Sequence, residues 1–205
     1  MKICGRGWIK VKAKKQKSGR TRRSRADALL NRERLLAAAK AAFAEVGADV
    51  SLEEIARRAN VGVGTAYRNF PTKDALVETV YRAEVEHLAA AAPRLLASTP
   101  AAEALHKWML LSIDYVAAKR GLATTLGLMI NDDSELYSYS IRLLTQATTL
   151  LVERAIADGA IRDDVMPIDL LRATIGFSYD KAHPDWKASA RRLVDIFMDG
   201  LRCKT

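Results

Sequence analysis

Hydrophobic residues recur at intervals of three and four along most of the chain, and this spacing predicts α-helices rather than strands. One apolar stripe follows Ser51 and consists of Leu52, Ile55, Ala56 and Ala59. Ser51 and Glu54 form a predicted capping box, in which the Ser51 hydroxyl accepts from the Glu54 amide and the Glu54 carboxylate reaches back to the Ser51 amide. Asn60 and Gly62 are expected to end this helix, because both tolerate backbone angles that most residues avoid.

A second short helix is predicted from Val63 to Phe70. Its N-terminus carries little side-chain bulk, because glycines stand at positions 62 and 64. The exposed amides and the dipole of such an N-terminus favour an approaching anion. We therefore expect the helix to contact nucleic acid, through the candidates Gly62, Val63, Gly64, Thr65, Tyr67, Arg68 and Asn69.

Longer helices are predicted on both sides of this pair. Pro71 ends the second short helix and Thr72 caps the next, with Lys73 in its first turn. A lysine there opposes the helix dipole, which suggests a compensating anion outside the protein. Upstream, a helix from Ala28 to Val46 is expected to end at Gly47 and to bury Leu35, Ala39, Ala42, Phe43 and Val46. The three N-terminal helices would pack as one module.

The segment from Ser51 to Leu76 resembles the signature of the TetR family of bacterial transcriptional regulators. The matching residues are Ser51, Ile55, Ala56, Ala59, Val61, Gly64, Thr65, Tyr67, Phe70, Lys73 and Leu76. The resemblance implies an all-α fold. An N-terminal three-helix helix-turn-helix DNA-binding domain would span residues 27–76, and a C-terminal helical bundle for ligand binding and dimerisation would span residues 77–205. Beyond the first module, only length and helical character match the family.

The resemblance also implies which residues lie at or near DNA: Ser51, Val63, Gly64, Thr65, Tyr67, Asn69 and Lys73, with Tyr67 on a phosphate. The sequence departs from the signature at four places, with Asn60 for glycine, Gly62 for serine, Ala66 for leucine and Asn69 for histidine. A helix pair of this kind can also be purely structural. The run from Gly62 to Lys73 favours DNA binding, because a structural helix would carry alanine, leucine or glutamate at these positions.

The positive charge of the chain is concentrated in its first 26 residues. The formal net charge is +9, yet residues 1–26 contain eleven Lys or Arg and no acid, and the remainder carries 22 basic against 24 acidic residues. Such a segment is predicted to be a disordered basic arm that lies along a phosphate backbone. Arg20, Arg22, Arg23 and Arg25 are the favoured contacts. A solubility tail, or a start codon upstream of the one used in the cell, is the alternative for residues 1–17.

The last helix is predicted from Trp186 to Leu201, with a wide apolar face. That face consists of Trp186, Ala190, Leu193, Val194, Phe197 and Leu201. The resemblance implies a homodimer held by the last two helices, whose two-fold symmetry would suit a palindromic operator. Packing of the face within its own subunit is the alternative.

A ligand-responsive regulator also needs an effector site, which is expected in the C-terminal bundle. The candidates combine apolar bulk with polar groups: Trp108, Met109, Ser112, Tyr115, Met129, Tyr137, Arg142, Thr145, Phe177 and Tyr179. At each of these positions, a packed core residue or a surface residue is the competing interpretation. The effector itself is not specified by the sequence.

Other functional classes find little support. Cys4 and Cys203 stand at opposite ends without metal-ligand spacing, and His87, His106 and His183 are isolated. No apolar run approaches the length of a membrane helix, and no secretory segment is visible. We expect a cytoplasmic DNA-binding regulator without enzymatic activity, cofactor or metal, most simply a repressor. The alternative is a helical ligand-binding or interaction protein that keeps the fold without sequence-specific DNA binding.

Overall fold

Helices form the described part of the chain, which in this computed structural model comprises residues 17–122, 126–127, 134–177 and 185–203. The described α-helices are α1 (Lys17–Val46), α2 (Leu52–Arg58), α3 (Val63–Asn69), α4 (Lys73–Leu96), α5 (Ala101–Gly121), α6 (Glu135–Ala157), α7 (Pro167–Gly176) and α8 (Trp186–Leu201). A short 3-10 helix follows α1 at Gly47–Asp49, and the described residues contain no strand. The all-α prediction is confirmed. Residues 1–16, Met129 and Tyr179 lie outside the described residues.

The first helix is longer than predicted. It begins at Lys17, eleven residues before the expected start at Ala28. The prediction of a disordered arm is therefore wrong for residues 17–26, whose backbone is helical. Lysine and arginine are good helix formers, and extending an existing helix is easier than nucleating a new one. The arginines at positions 20, 22, 23 and 25 consequently lie on the N-terminal turns of α1.

The buried stripe of α1 is confirmed at four of its five positions. Leu35, Ala39, Ala42 and Phe43 are buried, whereas Val46 is 57% exposed. Gly47 has a φ of 78°, so the chain turns away directly after Val46 and leaves its side chain without a neighbour to cover it.

The α2 helix shows half of the predicted capping box. The Ser51 hydroxyl accepts from the Glu54 amide at 3.2 Å. The Glu54 carboxylate accepts from Arg57 at 2.7 Å and from Arg58 at 2.9 Å, instead of from the Ser51 amide. Hydrogen bonds between two charged groups are stronger than those to a neutral amide, so the arginines one turn along take the carboxylate.

The turn between α2 and α3 depends on one of the two residues expected there. Asn60 has a φ of 52°, in the left-handed region, and so ends α2 as predicted. Gly62 instead has a φ of −60° as the N-cap of α3, a conformation that any residue can adopt. Its lack of a side chain is therefore not needed for the turn. Phe70 follows α3 and is fully buried.

The α4 helix joins the two halves of the molecule. Its N-cap is Thr72, whose hydroxyl accepts from the Ala75 amide at 3.1 Å. It packs against α1 and also against α5 and α6, which in turn contact α7 and α8. An ion pair between Lys40 and Glu84, 2.7 Å long, also connects α1 to α4. None of the described helices has the length and hydropathy needed to span a bilayer.

The apolar residues of α8 divide between two faces. Ala190, Val194 and Leu201 are buried and Trp186 and Phe197 are half-buried, and the helix packs on α5. Leu193 is 38% exposed, and Ile196, which was not among the predicted interface residues, is 68% exposed. Ala190, Val194 and Leu201 therefore pack within their own subunit.

Candidate nucleic-acid interface

The N-terminus of α3 is open to solvent. Gly62 and Gly64 are exposed, Val63 is 44% exposed and Thr65 is half-buried. Apart from the adjoining residues and the backbone of its own helix, a Cβ atom built on Gly64 would meet no atom within 4 Å, and one on Gly62 would meet only the Thr65 hydroxyl, at 4.0 Å. Neither glycine is required by the packing of the protein itself. The surface can therefore be approached closely by another molecule.

Tyr67 lies on the exposed side of α3 and is bonded to α2. Its side chain is 43% exposed, and its hydroxyl donates to Glu53 Oε1 at 2.5 Å. This hydrogen bond raises the pKa of Tyr67 and lowers the pKa of Glu53, because it favours the neutral phenol and the ionised carboxylate together. Sequence reasoning missed Glu53, which precedes Tyr67 by 14 residues and is brought to it only by the crossing of the two helices.

The polar residues near the end of α3 are held by their own helix. Arg68 donates to the Gly64 carbonyl at 3.1 Å and to the Thr65 hydroxyl at 2.8 Å, so its guanidinium lies over the first turn. Asn69 donates to the Thr65 carbonyl at 2.8 Å and is half-buried. Arg68 is thus placed at the open N-terminus, whereas the Asn69 amide is already bonded within the protein.

A residue of α1 supports this end of α3. Arg32 donates to the Asn69 carbonyl at 3.3 Å, and its guanidinium lies 4.4 Å from the centre of the Phe70 ring. Sequence reasoning did not single out Arg32. No local signal identifies it, since it stands 37 residues before Asn69.

The remaining candidates flank α3. Ser51 is exposed, but its hydroxyl caps α2. Lys73 is the first residue of α4 and is half-buried. Arg20, Arg22, Arg23 and Arg25 lie on α1, and only their backbone is described.

The proposed effector residues do not converge on one pocket. Trp108, Met109 and Ser112 are buried in the core, where the Trp108 indole donates to the Leu88 carbonyl at 2.8 Å and Ser112 donates to the Trp108 carbonyl at 3.0 Å. Tyr115 donates to the Tyr81 hydroxyl at 3.0 Å, and burial raises its pKa.

Tyr115 and Phe177 line different cavities. Tyr115 borders a cleft of about 420 Å³ between α1, α4 and α5, and Phe177 borders an open groove of about 1020 Å³ beside α8. Tyr137 and Thr145 are half-buried on α6, and Arg142 is exposed, 5.7 Å from the Tyr139 ring. The effector site therefore stays a prediction.

The family of the protein follows from comparison with known sequences and structures. Residues 35–80 match the bacterial regulatory proteins of the tetR family, and residues 100–203 match the C-terminal domain of SbtR-like transcriptional regulators. The chain belongs to the TetR family. It is a DNA-binding transcriptional regulator, and the helix pair α2 and α3 is its helix-turn-helix.

Solved structures of TetR regulators resemble it over nearly their whole length. The TetR regulator SCO0520 from Streptomyces coelicolor is 44% identical, with 85% of this chain and 99% of that chain covered and a TM-score of 0.75. A TetR regulatory protein from Mycobacterium vanbaalenii is 33% identical, with 87% and 99% covered and a TM-score of 0.70.

A more distant solved structure shares the fold alone. The ketosteroid transcriptional regulator KstR2 of Mycobacterium tuberculosis is 21% identical, with 84% of this chain and 95% of that chain covered and a TM-score of 0.55. No protein of curated function matches the chain in sequence.

Proposed function

We propose that this TetR-family regulator is a cytoplasmic homodimeric repressor, which binds a palindromic operator and is released by a small effector bound in the helical bundle. The DNA-binding domain would span residues 27–76, preceded by a basic arm, and residues 77–205 would form the regulatory domain. The observation that carries the proposal is the open, solvent-exposed surface of α3 at Gly64.

Gly64 destabilises its own helix without an internal benefit. Glycine in the middle of a helix costs roughly 0.5–1 kcal/mol relative to alanine, and Gly64, in the first turn of α3, carries part of this cost. The structure offers room for the Cβ of alanine at this position, since nothing lies within 4 Å. Glycine is nevertheless useful at this position if another molecule must approach the helix closely, because it has no side chain to block that molecule. A DNA backbone or base edge approaching the amides of α3 meets this requirement.

The cations around α3 suit the same partner. Arg68 lies over the exposed first turn of α3, and Lys73 begins α4 directly after it. The arginines of α1 add positive charge from a third helix, at positions 20, 22, 23 and 25. Phosphates neutralised by these side chains would release counterions, so affinity would fall steeply with salt.

Exposed apolar residues of the bundle support a dimer. Ile196 and Leu193 lie on the side of α8 that does not face its own core, and Ile175 of α7 is 39% exposed. Apolar side chains left in water on two C-terminal helices favour burial against a second copy. Two-fold symmetry would then place two α3 helices on successive major grooves.

Release by the effector would act through α4. This helix crosses the proposed domain boundary without a break, and it contacts both α1 and the bundle. An effector that binds one arrangement of the bundle more tightly than the other would shift the population of α4 positions. The two recognition helices would then be separated by a distance that no longer fits the operator.

Binding to the intergenic DNA upstream of its own gene tests the proposal. We expect the protein to bind this duplex more tightly than a scrambled duplex at 150 mM salt. Gly64→Ala should retain or slightly raise the free energy of unfolding while losing operator affinity. The matched control is Ala41→Ser, which also adds one heavy atom at an exposed position of the same domain. Equal affinity for the two duplexes, or full operator binding by Gly64→Ala, would contradict the proposal.

The dimer has a separate test. Ile196→Glu places a charge on the exposed side of α8 and should convert the dimer to a monomer in sedimentation velocity experiments. Val46→Glu changes a comparably exposed aliphatic residue in the DNA-binding domain and should leave the dimer intact. A wild-type protein that sediments as a monomer would remove the basis for a palindromic operator.

A further inference from the structure

The hydroxyl of Tyr67 is not free in the unbound protein. It donates to Glu53 Oε1 at 2.5 Å, which joins the exposed faces of α3 and α2. A phenol has a single proton to donate. A phosphate oxygen can therefore receive a hydrogen bond from Tyr67 only when the bond to Glu53 is broken.

Glu53 also differs from its neighbour in charge compensation. Glu54 is paired with Arg57 and Arg58, whereas no lysine or arginine whose side chain the structure describes, which leaves out residues 17–25, lies within ion-pair distance of Glu53. Both glutamates belong to the first turn of α2, and Glu53 is exposed. An uncompensated carboxylate hydrogen-bonded to the residue expected on a phosphate repels that phosphate.

We propose that Glu53 competes with DNA phosphate for the Tyr67 hydroxyl and thereby lowers the affinity of the protein for any duplex, whatever its sequence. The proposal rests on the proposed function, in which Tyr67 contacts the DNA backbone. DNA binding must exchange the bond to the carboxylate for a bond to the phosphate and must bring two anions close together. Only a duplex whose base contacts supply additional free energy would be held firmly.

A structural role for Glu53 makes a different prediction. An acidic residue in the first turn of a helix interacts favourably with the helix dipole, and Glu53 could serve α2 in this way alone. Its neutralisation would then lower the thermal stability and leave DNA affinity unchanged. Competition for Tyr67 predicts a change in DNA affinity that depends on the Tyr67 hydroxyl.

The test combines Glu53→Gln with Tyr67→Phe in a double-mutant cycle. Glutamine keeps the size of the side chain and removes its charge. Binding is measured by fluorescence anisotropy on a random-sequence duplex of 30 base pairs and on the upstream duplex. We expect Glu53→Gln to tighten binding to both duplexes about tenfold in the dimer, because each protomer loses one charged competitor. In the Tyr67→Phe background the gain should be smaller, because only the repulsion between the Glu53 carboxylate and the phosphate remains to be relieved.

A charge-matched control separates this effect from net charge. Glu103→Gln removes one negative charge from α5, where Glu103 pairs with Lys107, and should change affinity by less than twofold. Unchanged or weaker binding by Glu53→Gln would overturn the proposal. An undiminished gain in the Tyr67→Phe background, or an equal gain from Glu103→Gln, would also overturn it.

The outcomes distinguish this proposal from the proposed function. A wild-type protein that prefers the upstream duplex, combined with no gain from Glu53→Gln, overturns the role of Glu53 alone. A wild-type protein that binds neither duplex overturns both. Circular dichroism of each variant verifies that the helices are retained.

Discussion

The start of α3 is open to solvent, whereas the core around Trp108 is closely packed. At α3, Gly62 and Gly64 leave space that no protein atom fills, and the nearby Tyr67 is 43% exposed. Around Trp108 the side chains are fully buried, and the indole nitrogen donates to the Leu88 carbonyl. Residues on a surface that binds a partner need not contribute to the packing of the protein. The residue type at a core position is determined by the side chains that surround it.

The proposed DNA-binding residues and the proposed effector-binding residues also differ in how they are arranged. Most of the residues proposed to contact DNA lie on α3 and its N-cap, with Lys73 at the start of α4. The residues proposed to bind an effector are divided among the core, a cleft beside α1 and a groove beside α8. Most proposed DNA contacts therefore share one surface, whereas Tyr115 and Phe177 of the proposed effector residues border two separate cavities.

The largest expected effect is at Trp108. Trp108→Ala should lower the free energy of unfolding by about 3–5 kcal/mol, because it leaves a cavity and removes the hydrogen bond from the indole to the Leu88 carbonyl. Chemical denaturation measures the loss, and Trp108→Phe, which fills more of the space, should lose less. A loss below about 1 kcal/mol would mean that the bundle already tolerates a cavity here. That result would favour a role for Trp108 in lining the effector site. It would also weaken the contrast between the open start of α3 and the packed core.

The second prediction concerns the DNA-binding end. The double substitution Tyr67→Phe, Lys73→Ala should weaken operator binding about a hundredfold, because each protomer of the dimer loses two phosphate contacts. The slope of log affinity against log salt should become shallower by about two units, since one lysine is lost from each protomer. The thermal unfolding midpoint should stay close to that of the wild type. A fall in stability comparable to that of Trp108→Ala would show that Tyr67 and Lys73 stabilise the fold in the way that core residues do.

The smallest effect is the pH dependence of the α2 ion pairs. Arg57, followed by Arg58, holds the pKa of Glu54 at about 2, below its ordinary value of 4.5. Because the pKa is lower in the folded protein, the stabilisation is fully present above pH 4.5 and is lost as the pH falls towards 2.

Thermal unfolding from pH 6 to pH 2 checks this prediction. Wild type and Glu54→Gln should differ by about 2 °C at pH 6, because exposed ion pairs contribute little, and the difference should vanish near pH 2. A constant difference across this range would show that the ion pairs do not stabilise α2.

Much of the local structure was predictable because its causes are local. The Ser51 and Thr72 caps, the left-handed Asn60 and the range of α8 follow from residues within a few positions of each other. The start of α1 was predicted wrongly, because a basic composition was interpreted as disorder although lysine and arginine also extend helices. The second half of the capping box was wrong because two arginines compete for the same carboxylate.

The sequence alone determined the family, the all-helical architecture and the position of the helix-turn-helix, because periodicity, caps and a family signature are encoded in short segments. Only the tertiary structure decided that Glu53 holds Tyr67, that Arg32 supports the end of α3, and which apolar residues of α8 face the core. These facts depend on how helices cross. Crossing joins residues that lie 14 or 37 positions apart, and no local pattern specifies such distances.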